Sequence, residues 1–240
     1  MSVINPSRPE DHATWNAVAR RQLPHIHERA TNRFHAGWSK LGLRENQVPV
    51  RADVEDALHE VTGWHLSVPE EAYLEDGVWF THLAIKHFPA TAYLRKSHEV
   101  EYTPFPDLVH EYLGHLPIHA DPVCAELAHQ FGLAHIGTQD LSRKNAIARL
   151  WWYTFEFGLI KENGETRVLG AGLLSSIGEL ERSRDTTLHV PFDINKVIRL
   201  PRSPHAMHEK YFVIDNMDQI AEALKKLADP AFTIPHIEKS

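Results

Sequence analysis

Residues 107–117 read DLVHEYLGHLP, which sets His110, Glu111 and His115 in one short stretch. Imidazole and carboxylate are the side chains that hold borderline and hard divalent metals, so this stretch is the first candidate for chemistry. Its spacing is one residue longer than H-E-x-x-H, whose histidines lie about 40° apart around an α-helix. His110 and His115 stand at i and i+5 and diverge by about 140° on a regular helix. A straight helix cannot aim both rings at one ion. The sequence therefore predicts that the turn loosens or ends at Gly114 and Pro117, freeing His115 to swing round. Glu111 follows His110 directly, points elsewhere, and suits a supporting role.

A third ligand is available in ARLWWYTFEFGLI, where Glu156 is the one acidic residue of the apolar run 146–160. A carboxylate on such a buried helix costs several kcal/mol unless something compensates it. Local sequence leaves two readings open: a cation held with His110 and His115, or a buried ion pair with Arg149 or Arg95. Two histidines and one carboxylate, without a thiolate, form the facial set that holds non-haem Fe(II), and the same set serves catalytic zinc.

The elements that must position these groups read as mostly helical. Residues 11–40 predict a long helix behind Asp11, with an interruption at Pro24, and residues 52–64 a second that stops near Gly63. DPVCAELAHQFGLAH opens with Asp121 as N-cap and Pro122 at the first helical position. Residues 145–160 predict a helix apolar nearly all round, and MDQIAEALKKLADP an amphipathic closing helix. Strand-like runs, TRVLGAGL, TLHVPF and KYFVID, gather late. The fold class expected is α+β, mostly helical, in one domain spanning 1–240.

Composition narrows the function. A formal charge of -7 leaves no basic footprint for nucleic acid or anionic membrane. No apolar run is long enough to span a bilayer, and the start lacks a secretory pattern, so a cytoplasmic protein is expected. The one cysteine, Cys124, reads as a small buried hydrophobe. Of the 18 histidines, most (His12, His25, His27, His59, His98, His205, His208 and His236) stand among polar neighbours and read as solvated surface rings.

DLVHEYLGHLP, ARLWWYTFEFGLI and GAGLLSSIGEL, in that order, resemble the catalytic domain of the pterin-dependent aromatic amino acid hydroxylases, nearest to short bacterial members that act on phenylalanine. DHATW, TGWHLSVP, WFTHLAIKHFP, EYTPFPD and KYFVID fall in the same order, so the likeness runs from about residue 11 to about residue 220. The resemblance implies ferrous iron on His110, His115 and Glu156, with Ser175 orienting His110. It implies a tetrahydropterin near Trp79, Glu111, Ala148 and Trp151, with Glu111 reaching it through water. It implies an aromatic amino acid gripped by Arg95 and Thr103 at its carboxylate, by Pro106, Trp152 and Phe157 at its ring, and by Ser176 and Glu179. Dioxygen is the co-substrate, and a monomer without regulatory or oligomerisation domains is expected.

Two stretches depart from the family pattern. Residues 70–79, EEAYLEDGVW, are acidic and lack an early glycine, although Trp79 stands where an aromatic residue would stack on the pterin. Phe105 replaces a usual glutamate at the mouth of the substrate pocket. L-Phenylalanine is the expected substrate, with meta attack or another aromatic amino acid as alternatives. A zinc hydrolase using Glu111 as general base, and a non-enzymatic metal-binding protein, are the rival readings.

Overall fold

A computed structural model describes residues 8–69, 74–99, 106–203 and 206–234. The chain opens with α1 (Pro9–Arg29) and α2 (Asn32–Lys40). Pro24 lies inside α1 and does not break it. The stripe Trp15, Val18, Ala19, Leu23 and Ile26 is buried along its length, and that burial outweighs one missing ladder bond. The break falls instead at Ala30, where the chain turns extended, pairs with Val168, and lets Thr31 cap α2. The predicted start is also corrected: Arg8, not Asp11, precedes the first turn, and Pro9 occupies it.

After α3 (Arg51–Thr62), Gly63 adopts φ 73 and returns its N–H to His59 O, ending the helix as predicted. Then come β1 (His65–Ser67), α4 (Asp76–Ala84) and β2 (His87–Pro89), with the two strands paired in parallel. A continuous helical stretch follows: α5 (Leu108–His110), a π turn π1 (Glu111–His115) and α6 (Leu116–His119). α7 (Pro122–Ile136) carries the predicted cap, Asp121 accepting from Val123 and Cys124 N–H. α4 packs along α7, and α2 along α6.

α8 (Leu141–Trp151) runs into a second π turn, π2 (Trp152–Glu156). The helix predicted to reach Ile160 therefore stops earlier, because Leu159–Glu162 is strand β3, joined to β4 (Glu165–Val168) by Asn163 and Gly164. Both turn residues have positive φ, 53 and 82, which suits a two-residue hairpin. The GAGL of the predicted strand TRVLGAGL belongs instead to α9 (Ala171–Leu174) and its cap. α10 (Ile177–Arg182), β5 (His189–Pro191), α11 (Ile194–Val197), β6 (Tyr211–Ile214) and α12 (Met217–Ala228) complete the described chain. The larger sheet has the order β4-β3-β6-β5, with β3 and β4 antiparallel and the other neighbours parallel. Helices with one small and one mixed sheet make the α+β class read from sequence. Among the described residues no helix is long and apolar enough to cross a membrane.

Gly114 serves close packing. A Cβ there would stand 2.9 Å from Ala171 O and 3.0 Å from Ala171 Cβ, so π1 touches the start of α9. Gly114→Ala should cost about 1–3 kcal/mol, the scale of forced overpacking. Gly77→Ala, at a helical site with nothing within 4 Å, should be neutral or stabilise by up to ~1 kcal/mol. Urea unfolding of the two variants checks this; equal midpoints would show that the π1–α9 contact is slack.

Candidate active site

The i, i+5 histidine spacing is accommodated without a break in the helix. Leu116 N–H bonds to Glu111 O, five residues back, so the turn widens to π geometry. At roughly 4.4 residues per turn, five residues bring His115 back to within about 50° of His110. Of the two sequence expectations, a loosened turn or an ended one, the structure shows the loosened turn, widened to π geometry. Pro117 has no N–H to place in the ladder and lies just after π1, in the first turn of α6. π2 does the same for the third residue: Phe157 N–H bonds to Trp152 O at 2.9 Å and carries Glu156 to the inner face.

His115 Nε2 lies 3.1 Å from Glu156 Oε1, and His110 Nε2 lies 3.7 Å from Glu156 Oε2. Among the described residues these three form the one group whose donor atoms, all within 4.8 Å of one another, could hold an ion. Neither arginine considered as a partner for Glu156 is turned to it: Arg149 Nε donates to Leu200 O, and Arg95 is paired with Asp107. His115 is 3% exposed, Glu156 11% and His110 21%, so the opening lies on the His110 side.

Hydrogen bonds decide which nitrogen of His110 is free. Ser175 Oγ donates its one proton to Ala171 O at 2.8 Å, so at 2.8 Å from His110 Nδ1 it must accept. The ring proton is then on Nδ1, and the Nε2 lone pair faces the cluster. Trp151 Nε1 donates to Glu156 Oε1 at 2.9 Å and fixes the carboxylate from behind. Burial would raise the Glu156 carboxyl, but the imidazoles of His115 and His110 and the Trp151 N–H outweigh it and hold it at about 2. Burial would lower His115, but Glu156 outweighs it and raises it. Burial, helped by His115, pushes His110 down to about 4. Glu111 is raised to about 8 by burial, with Glu156 and Asp107 adding to it against His115, and its Oε2 has no partner among the described residues.

Asp107 ties this cluster to Arg95. It is fully buried, takes Arg95 Nε at 2.8 Å, Nη2 at 2.9 Å and the Arg95 N–H at 2.9 Å, and caps α5 through His110 N–H. Trp152 and Phe157 pack at 4.7 Å between centroids beside the carboxylate ligand, while Pro106 precedes Asp107 at the start of the described stretch. Trp79 stands 5.9 Å from the His115 ring, with a buried Nε1 that has no partner among the described residues. Thr103, Phe105 and residues 70–73 lie outside the described residues.

The other expected residues have packing or partners of their own. Ala148 and Trp151, expected beside the pterin, are 1% and 4% exposed and offer a ligand almost no surface in this conformation. Ser176, expected at the substrate, uses its hydroxyl to cap α10 by accepting from Glu179 N–H. The Glu179 carboxylate, also expected there, is occupied by His208 and Tyr211. His208, read as a solvated surface ring, is 8% exposed and packs on Phe157. Its local sequence, HAMHEK, has no burial pattern, and the residues that enclose it, among them Trp152, Phe157 and Glu179, are distant in the chain.

A model of the biopterin-dependent aromatic amino acid hydroxylases matches residues 4–235. The phenylalanine-4-hydroxylase of Ralstonia nicotianae is 33% identical over 225 residues, 93% of this chain and 70% of that protein. The crystal structure of Chromobacterium violaceum phenylalanine hydroxylase with bound iron(III) and oxidised 7,8-dihydrobiopterin superposes with a TM-score of 0.83 at 32% identity, over 95% of this chain and 87% of that one. The apo structure of the cold-active enzyme from Colwellia psychrerythraea gives 0.84 at 29% identity, over 92% and 85%. These matches set aside the zinc-hydrolase and non-enzymatic readings: the chain belongs to the biopterin-dependent aromatic amino acid hydroxylase family.

Proposed function

We propose that this protein hydroxylates the ring of free L-phenylalanine to give tyrosine, with one iron on His110, His115 and Glu156 and a tetrahydropterin beside it. The observation that carries the metal is the convergence of the three donors, with the His110 ring proton kept on Nδ1 by the accepting Ser175 hydroxyl. The donor set, two neutral nitrogens and one carboxylate, suits ferrous iron and leaves coordination positions open. When bound, iron and reduced pterin supply the activation of dioxygen.

The chain's own residues do the positioning. Arg95, its fork fixed by Asp107, is the cation for the substrate carboxylate, and Thr103 completes that end. Pro106, Trp152 and Phe157 hold the ring next to Glu156. The indole of Trp79 and the carboxyl of Glu111 each keep a buried polar atom without a partner among the described residues, which suits a polar heterocycle such as a pterin. Ser176 and Glu179 act one layer out, by capping α10 and by holding its neighbours. We further propose that the chain works as a single catalytic unit in the cytoplasm, as a monomer, and without nucleic acid; its charge of -7 supports the last point.

Three outcomes check this reading. Glu156→Ala should lose stoichiometric iron and all turnover while keeping its circular dichroism; a variant that retains iron removes Glu156 from the site. Ser175→Ala should weaken iron by about 10–100-fold, the usual effect of losing a ligand's orienting partner, read by chelator competition. In the iron-free protein His115 holds a proton against its raised pKa, and iron must displace it. Affinity should therefore rise as pH rises towards that pKa, with about one proton released per iron below it, and level off above it. Calorimetry in buffers of different ionisation enthalpy reads that proton, and pH-independent binding would contradict the pairing.

A further inference from the structure

His208 sits in the loop before β6, and every polar group it owns is engaged. Its N–H donates to Glu179 Oε1 at 3.0 Å, and its carbonyl accepts from Arg182 Nε at 2.9 Å. Trp152 Nε1 lies 3.0 Å from His208 Nε2. An indole nitrogen can only donate, so Nε2 must be the unprotonated nitrogen. The ring proton is therefore on Nδ1, which donates to Glu179 Oε1 at 3.0 Å. The second oxygen of Glu179 takes the hydroxyl of Tyr211. Burial would raise the Glu179 carboxyl, but these bonds outweigh it and hold it below its usual value, as the acceptor role requires.

The same imidazole lies face to face with Phe157, 3.9 Å between centroids at 27°, and 5.9 Å from the Trp152 ring. Trp152, Phe157 and His208 thus close a triangle of rings, with Trp152 and Phe157 at 4.7 Å. One corner carries the hydrogen bonds that lock the set. Phe157 is the residue after Glu156, so its backbone is held beside a candidate metal ligand while the face of His208 sets the tilt of its ring.

We propose that His208 is a positioning residue of the ring pocket: through its bond to Trp152 and its face on Phe157 it sets which carbon of the bound amino acid ring is hydroxylated. This assignment rests on the reading of Trp152 and Phe157 as the ring pocket. A side chain that removes the clamp leaves both rings free to tilt and so admits a second orientation of the substrate ring.

The test compares His208→Ala, His208→Phe and His208→Gln in the iron-loaded protein. Products from L-phenylalanine are separated by ring position, and L-phenylalanine binding is followed without turnover by intrinsic tryptophan fluorescence. His208→Ala should change the isomer ratio or the hydroxylation per pterin oxidised by about tenfold, the scale on which a pocket contact separates competing poses. It should weaken L-phenylalanine binding, with iron content and the KM for pterin unchanged. His208→Phe keeps the stacking face and should recover L-phenylalanine binding only in part. His208→Gln keeps an acceptor for Trp152 and a donor for Glu179, and should return the isomer ratio towards wild type. Should the His208 variants not fold, Trp152→Phe removes the same bond from its other end and should shift the isomer ratio in the same direction. Variants that fold and match wild type in isomer ratio, coupling and L-phenylalanine affinity would overturn the proposal. Failure of the wild-type protein to hydroxylate any aromatic amino acid would instead overturn the proposed function.

Discussion

A carboxylate on a helix walled by Trp151, Tyr153 and Phe155 must find positive charge or a metal, and the architecture around Glu156 answers that demand. Burial alone would neutralise the group; two imidazoles and an indole N–H keep it ionised. Those partners come from α5, π1 and α8, and α9 is followed by Ser175, whose hydroxyl accepts from His110. Packing of α9 against π1, through Gly114, is therefore part of the site as well as of the core.

Both segments that supply the candidate ligands use a π turn, and the reason is rotational. An α-helical register would aim His115 away from His110; one widened turn restores the common face without ending the helix. Such turns forgo the compact α ladder locally, and here they occur where the candidate ligands converge. Asp107 extends the same economy by capping the helix of His110 and gripping Arg95 with one buried carboxylate. The helix start that carries His110 and a candidate carboxylate-binding fork are thus held by a single residue.

Much of this was legible in the sequence. Cap chemistry gave Asp121 and Pro122 at the start of α7 and Gly63 at the end of α3, because those signals act within one turn. The three ligand candidates are the three residues whose donor atoms the structure gathers. Pro24 misled, since long-range burial of α1 overrides a local breaker. The hairpin at Asn163 and Gly164 had its signal in the sequence, but the apolar run before it read as continuing helix. Register shifts to π geometry have no residue signature of their own, and the burial of His208 depends on rings 51 and 56 positions earlier in the chain.

The most direct test of the central claim is a crystal of the protein grown with Fe(II) or Co(II) and measured at the metal's absorption edge. The account predicts one anomalous peak per chain, at about 2.0–2.2 Å from His110 Nε2, His115 Nε2 and a Glu156 oxygen. A peak ligated elsewhere, or a Glu156 carboxylate turned away from both rings while the metal is bound, would contradict it.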